Sequence, residues 1–132
     1  MQSNNENQSK DSPQLANIEN NLSTITFEDF LKVKMCTGTI LKVEDNPKAT
    51  KPAYILTIDF GPEGIKTSSA QLTQNYDKEN LIGHQVVAVM NFPTKRIAGI
   101  KSEVLVLGSV SDSHDVVLLQ PTMPVPNGSR IG

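Results

Sequence analysis

Residues 33–43 read VKMCTGTILKV, and much of that stretch alternates apolar with polar or small side chains, the period-two signature of a strand with one face in a core. Gly38 stands in its middle, where a residue without a side chain marks a bulge or a sharp bend. A strongly bent first strand is what a small barrel needs to turn its sheet back on itself.

Working outward toward the C-terminus, DNPKATKP (45–52) is a turn signal, AYILTIDF (53–60) a second strand, GPEG (61–64) a short turn and IKTSSA (65–70) a third strand, so the three form a meander. The polar stretch QLTQNYDKENLIG (71–83), with Leu72, Tyr76, Leu81 and Ile82 as its apolar points, suits a short helix or turn bridging two parts of the barrel. HQVVAVMNF (84–92) and SEVLVLGSV (102–110) supply strands four and five, separated by PTKRIAGIK (93–101). Five strands with a helical connection between the third and fourth is the order of an OB barrel.

Toward the N-terminus, Thr26 can cap a short amphipathic helix with Asp29 at its third position, and Phe27, Phe30 and Leu31 could lie on the barrel or close one end of it. Residues 1–24 are dominated by Asn, Gln and Ser and have too few apolar positions to offset the entropy of ordering them, so a disordered polar tail is expected there. After Asp115 the chain reads VVLLQPTMPVPNGSRIG. Pro121, Pro124 and Pro126 favour an extended arm over a central strand. The expectation is an all-β chain: one five-stranded OB-fold barrel over residues 25–132, with a short N-terminal helix and a C-terminal extension.

Glu6, Asp11 and Glu19 against Lys10 place the whole net charge of −2 in the first 24 residues, leaving 11 basic and 11 acidic side chains in the rest. A protein holding nucleic acid through bulk positive charge is thereby excluded, and any such site must be a local patch. No run approaches the 18 apolar residues of a membrane span, and the N-terminus lacks the apolar core of a secretory signal; a cytoplasmic protein with no membrane partner is expected. Cys36 is the only cysteine, which rules out an intramolecular disulfide. It reads as a small buried filler more than a reactive thiol.

The acids, bases and nucleophiles form no recognisable catalytic set. His84 and His114 have no metal-ligand spacing, Ser68 and Ser69 lie in no nucleophile elbow, and GPEG lacks the lysine and hydroxyl of a phosphate loop. No enzyme and no cofactor are expected. The informative segment is Asn91 to Glu103, which holds Lys95, Arg96 and Lys101 with one amide, two hydroxyls and one carboxylate between two apolar strands. Loops joining rigid strands are where OB barrels carry ligand contacts. A solvated hairpin accounts for its composition equally well. Lys32, Lys34 and Lys42 beside the first strand could extend a cationic patch. With no tryptophan and few aromatic rings, a binder that stacks a run of bases is poorly supported, and recognition of folded RNA by shape and backbone fits better.

The strings FEDFLKVKMCTGTI, IDFGPEGIKTSSAQLTQNY, LIGHQVVAVMNFPTKRIAGIKSEVLVLG and DVVLLQPTMPVPNGSRIG resemble the CsaA family of small bacterial and archaeal proteins. That family is part of the wider tRNA-binding domain group found at the C-terminus of many methionyl-tRNA synthetases. The resemblance covers residues 25–132. It implies an OB fold, a symmetric homodimer formed through the terminal elements, and tRNA binding outside any catalytic site. Because such proteins are described as export-related chaperones, it also implies affinity for unfolded or presecretory polypeptides. By matching position it implies RNA contacts from Asn91, Lys95, Arg96, Lys101, Ser102 and Glu103, with Ser68 and Ser69 facing the same groove. Lys34 and Cys36 stand where the resemblance leads one to expect an acidic residue and an arginine before the first-strand glycine, with Met35 between them at the usual apolar position, and the lack of that arginine removes any contact it makes. Apolar side chains at Val116, Val117, Leu118, Leu119, Met123 and Val125 would give the C-terminal arm a surface for a twofold mate.

Overall fold

The computed structural model describes residues 23–132, so the tail expected over residues 1–24 lies almost wholly outside the described residues. The chain divides into two units, with the second running Leu31–Gly132 and the first, of which residues 23–30 are described, ending at Phe30. Helix α1 (Phe27–Leu31) begins at a reciprocal cap. The Asp29 backbone N–H donates to the Thr26 hydroxyl at 3.0 Å, and the Thr26 N–H donates to the Asp29 carboxylate at 3.3 Å.

The second unit is built on β1 (Met35–Asp45), whose eleven residues serve two neighbours in turn. Met35 to Thr39 pair antiparallel with β4 (Gln85–Val89), and Thr39 to Asp45 with β2 (Tyr54–Asp59). The register slips between Ile40 and Lys42, so the bulge falls at Leu41 and not at Gly38. Gly38 has another role. A Cβ there would stand 2.6 Å from the Phe60 ring and 2.7 Å from the Ile58 side chain, so the missing side chain lets the core pack onto the strand.

β2 turns through a single 3-10 turn (Gly61–Glu63) into β3 (Ile65–Ala70), and the chain then reaches β4 through α2 (Lys78–Leu81), which inserts Leu81 fully into the core. Alternation along β2 sends Tyr54, Leu56 and Ile58 inward against Ile40, Phe60, Leu72 and Val86. The main sheet runs β3-β2-β1-β4-β7, with β7 (Leu105–Val106) paired to β4.

The run expected to be one fifth strand therefore breaks after β7. Beyond it, β8 (Gly108–Ser111) leaves the barrel and pairs with β9 (Asp115–Leu118) as a separate hairpin. The free edges of β3 and β7 are drawn together by residues 101–104. The Glu103 N–H donates to the Thr67 carbonyl at 2.8 Å, and the Thr67 hydroxyl donates to the Lys101 carbonyl at 2.7 Å. The result is a nearly closed five-stranded barrel.

The C-terminal arm is extended, as the prolines require, and it lies on its own barrel. The Gly128 N–H donates to the Thr37 carbonyl, the Thr37 N–H to the Ser129 carbonyl, and the Ile131 N–H to the Met35 carbonyl, at 2.7 to 3.0 Å. These bonds fill the edge of β1 that β2 leaves open. Val116 and Leu118 pack against the core, while Val117, Leu119 and Met123 remain exposed. Among the described residues no helix is long and apolar enough to cross a membrane.

Candidate nucleic-acid interface

The segment between β4 and β7 is a β-hairpin. Its strands are β5 (Lys95–Ile97) and β6 (Ile100–Ser102), with Ile97 opposite Ile100, so only Ala98 and Gly99 form the tip. Both have positive φ, 48° and 86°, the geometry of the tight turn whose twist matches a β-ribbon. The Arg96 guanidinium donates to the Gly99 carbonyl at 3.3 Å, tying the tip to its own strand.

Strand register sorts the three cations. Arg96 stands directly opposite Lys101, so the two side chains share one face, and Lys95 opposite Ser102 lies on the other. Like charges directly across a strand pair repel. Among the described residues no carboxylate comes within salt-bridge distance of Lys95, Arg96 or Lys101. The pair is therefore an uncompensated cationic edge that an anion would relieve.

Two residues missed by sequence reading complete this corner. Asn46, buried at the end of β1, donates its side-chain amide to the Ala98 carbonyl at 3.4 Å and accepts the Lys48 N–H at 3.1 Å, so it joins the β1–β2 loop to the hairpin tip. The Lys48 side chain runs beside Gly99, at 2.9 Å from where a Cβ would lie. The stretch 45–52 reads only as a turn, yet in an OB barrel the loop after the first strand is a ligand-bearing position, and that rule could have found Lys48.

The polar residues around the cations are engaged internally. Asn91 accepts the Lys34 N–H at 3.0 Å and donates to the Lys32 carbonyl at 2.7 Å, fixing the segment before β1. Ser68 is almost fully buried and donates to the Val104 carbonyl at 3.1 Å, which places it in the barrel wall and away from any groove. The Ser102 hydroxyl, also buried, accepts the Ser69 N–H at 3.0 Å. The Glu103 carboxylate accepts the Thr67 N–H at 2.9 Å through one of its two oxygens, and that oxygen lies 3.1 Å from the Thr67 hydroxyl, whose single proton is shared with the nearer Lys101 carbonyl. Ser68, Ser69, Ser102 and Glu103 stitch the hairpin base to β3 and so hold the cations at the rim.

Lys34 and Lys42 do not extend the patch. Lys34 is paired with Glu63 at 2.6 Å and Lys42 with Glu44 at 3.5 Å. Cys36 is buried as expected, and burial is the first cause that raises its thiol above the usual range, with Glu63 adding to it. On the Lys95 face of the hairpin lies an open groove of about 500 Å3, largely apolar, with Phe92 and Leu105 half exposed on its walls. No cluster of three potential metal ligands occurs among the described residues.

Comparison with known proteins places this geometry. A putative tRNA binding domain matches residues 35–130. The chaperone CsaA of Bacillus anthracis str. Ames is 55% identical with a TM-score of 0.79, covering 83% of this chain and 100% of that one. The CsaA chaperone protein of Picrophilus torridus is 47% identical with a TM-score of 0.77, over the same shares of the two chains. Among curated proteins, the methionine–tRNA ligase of Nanoarchaeum equitans is 37% identical over 119 residues, which is 90% of this chain and 15% of that protein. The chain thus spans about one-seventh of the ligases it matches.

Proposed function

Since the chain belongs to the putative tRNA binding domain family, we propose that it is a non-catalytic tRNA-binding protein, working in the cytoplasm as a homodimer, that grips the folded RNA backbone at the rim of its barrel. The observation that carries this reading is the Arg96–Lys101 cross-strand pair, unmatched by any carboxylate among the described residues and joined by Lys48 at the hairpin tip. Lys48, Arg96 and Lys101 hold phosphate oxygens, and Lys95 serves the opposite face of the same hairpin. Asn91, Ser102, Glu103, Ser68 and Ser69 support the site chiefly by fixing the hairpin; the second Glu103 oxygen, which no described donor occupies, is left to read the RNA.

Backbone recognition through a few cations releases counterions, so log affinity falls with log salt. The test is fluorescence anisotropy with total tRNA over a salt series. Replacing Arg96 and Lys101 by Ala lowers the slope by about one for each phosphate no longer held and leaves the thermal transition in place. Absence of tRNA binding by the unaltered protein at low salt would end this reading.

A second reading, binding of unfolded or presecretory polypeptides, is supported by the likeness to solved CsaA chaperones. Suppression of the aggregation of an unfolded client at equimolar protein supports it, and no effect there removes it. The two activities are compatible.

A further inference from the structure

The hairpin has two faces, and the backbone site uses only one. Beside Lys95 the groove is lined by Ile97 and Leu105 and by a half-exposed aromatic ring, Phe92, at 53% exposure. The ring has no aromatic partner among the described residues. Four residues with polar side chains line the same groove, Thr94, Lys95, Ser102 and Glu103, and the Ser102 hydroxyl is engaged by the Ser69 N–H. One Glu103 oxygen is taken by Thr67, while the other, like the Thr94 hydroxyl, has no hydrogen-bond partner among the described residues.

Resting on the tRNA reading, we propose that this groove takes a single unpaired nucleotide whose base carries an exocyclic amine, stacked on Phe92 with its phosphate on Lys95. The argument is one of complementarity and continuity. A nucleotide is flat and apolar over its base, anionic at one end and hydrogen-bonding along one edge, and the groove presents an aromatic face, a cation and an acceptor in one space. A carboxylate acceptor favours the exocyclic amine of adenine, cytosine or guanine over uracil, whose one edge donor, N3–H, stands between two carbonyl oxygens that repel the carboxylate. The groove also adjoins the Arg96–Lys101 edge through a strand three residues long, so a chain bound on one face can place its next nucleotide on the other. A base held in a duplex offers neither its face nor its pairing edge, so the site reads an unpaired position in an otherwise folded RNA.

The experiment uses the full chain and fluorescein-labelled hexamers of adenylate, cytidylate and uridylate, with total tRNA alongside. Adenylate and cytidylate bind more tightly than uridylate. Phe92→Ala weakens both by roughly fivefold to a hundredfold, the range for loss of one base–aromatic stack, and Phe92→Tyr restores binding. Glu103→Gln keeps an oxygen for Thr67 while replacing the outer acceptor by a donor, and it abolishes the preference over uridylate. Ultraviolet crosslinking at Phe92 gives a readout that a merely structural role would not produce, and thermal melts verify that each variant folds.

If Arg96→Ala with Lys101→Ala abolishes tRNA binding while Phe92→Ala changes neither hexamer nor tRNA affinity, the groove assignment is overturned and the backbone reading stands. Equal binding of all three hexamers overturns the base preference. Loss of retention of a reduced, carboxymethylated polypeptide by Phe92→Ala, with RNA binding intact, assigns the groove to polypeptide and overturns the proposal. No tRNA binding at all by the unaltered protein is the separate failure of the parent reading.

Discussion

At Gly38 a single missing methyl group lets the core pack onto the first strand. The strand passes so near Phe60 and Ile58 that any Cβ must displace a ring or a branched side chain that is itself fully buried. Gly38→Ala is expected to destabilise the fold by about 1–3 kcal/mol, the usual cost of overpacking a dense core, and urea unfolding checks it. An unchanged midpoint would mean that the Phe60 ring has room to move. The same scale bears on Ser68, for which the resemblance implied a place facing the RNA groove. A serine in a strand near a cationic loop is chemically apt for a ligand, but its hydroxyl is engaged by the Val104 carbonyl across the barrel seam. Which of these uses prevails depends on a neighbour 36 residues away, so local sequence cannot announce it.

The hairpin β5–β6 is the element on which the site depends, and its tip is chemically uneven. Gly99 adopts its positive φ freely, whereas for Ala98 the same region of conformational space costs about 1 kcal/mol or more. Ala98→Asn is therefore expected to raise the thermal transition, because Asn-Gly is the preferred pair in this turn. Gly99→Ala should destabilise the fold by about 1–2 kcal/mol and also weaken tRNA binding, since the new methyl group meets the Lys48 side chain at 2.9 Å. Calorimetry and anisotropy on the two variants separate the stability effect from the binding effect. Sequence marked residues 91–103 as electropositive, but composition left a solvated hairpin as an equal account. The strand register sorts what composition could not, by putting Arg96 and Lys101 on one face and Lys95 on the other.

For the molecule as a whole, Val117, Leu119 and Met123 stay exposed after the C-terminal arm has docked on its own β1, with Val110 exposed on the other face of the β8–β9 hairpin. A patch of this kind suits a twofold mate, and two copies of the cationic edge on one body would raise tRNA affinity through effective concentration. Val117→Lys combined with Met123→Glu is expected to shift sedimentation from dimer to monomer. It should weaken tRNA binding by about tenfold or more while leaving hexamer binding unchanged. A monomeric unaltered protein, or equal loss for both ligands, would count against this arrangement.

What the order of residues determined by itself was the set of local preferences: alternating strands, the Thr26 cap, the short bridge before β4, the proline-bound arm and a charge balance that forced any nucleic-acid site to be a patch. Those features depend on neighbours a few positions apart, where periodicity and turn chemistry operate. The tertiary structure alone decided that the fifth strand breaks so that β8 pairs with β9, that the arm fills an edge of β1, and that Asn46 and Lys48 meet the hairpin tip. The last two join residues far apart in the chain, and such contacts are chosen by which buried edges and carbonyls remain unpaired once the core has packed.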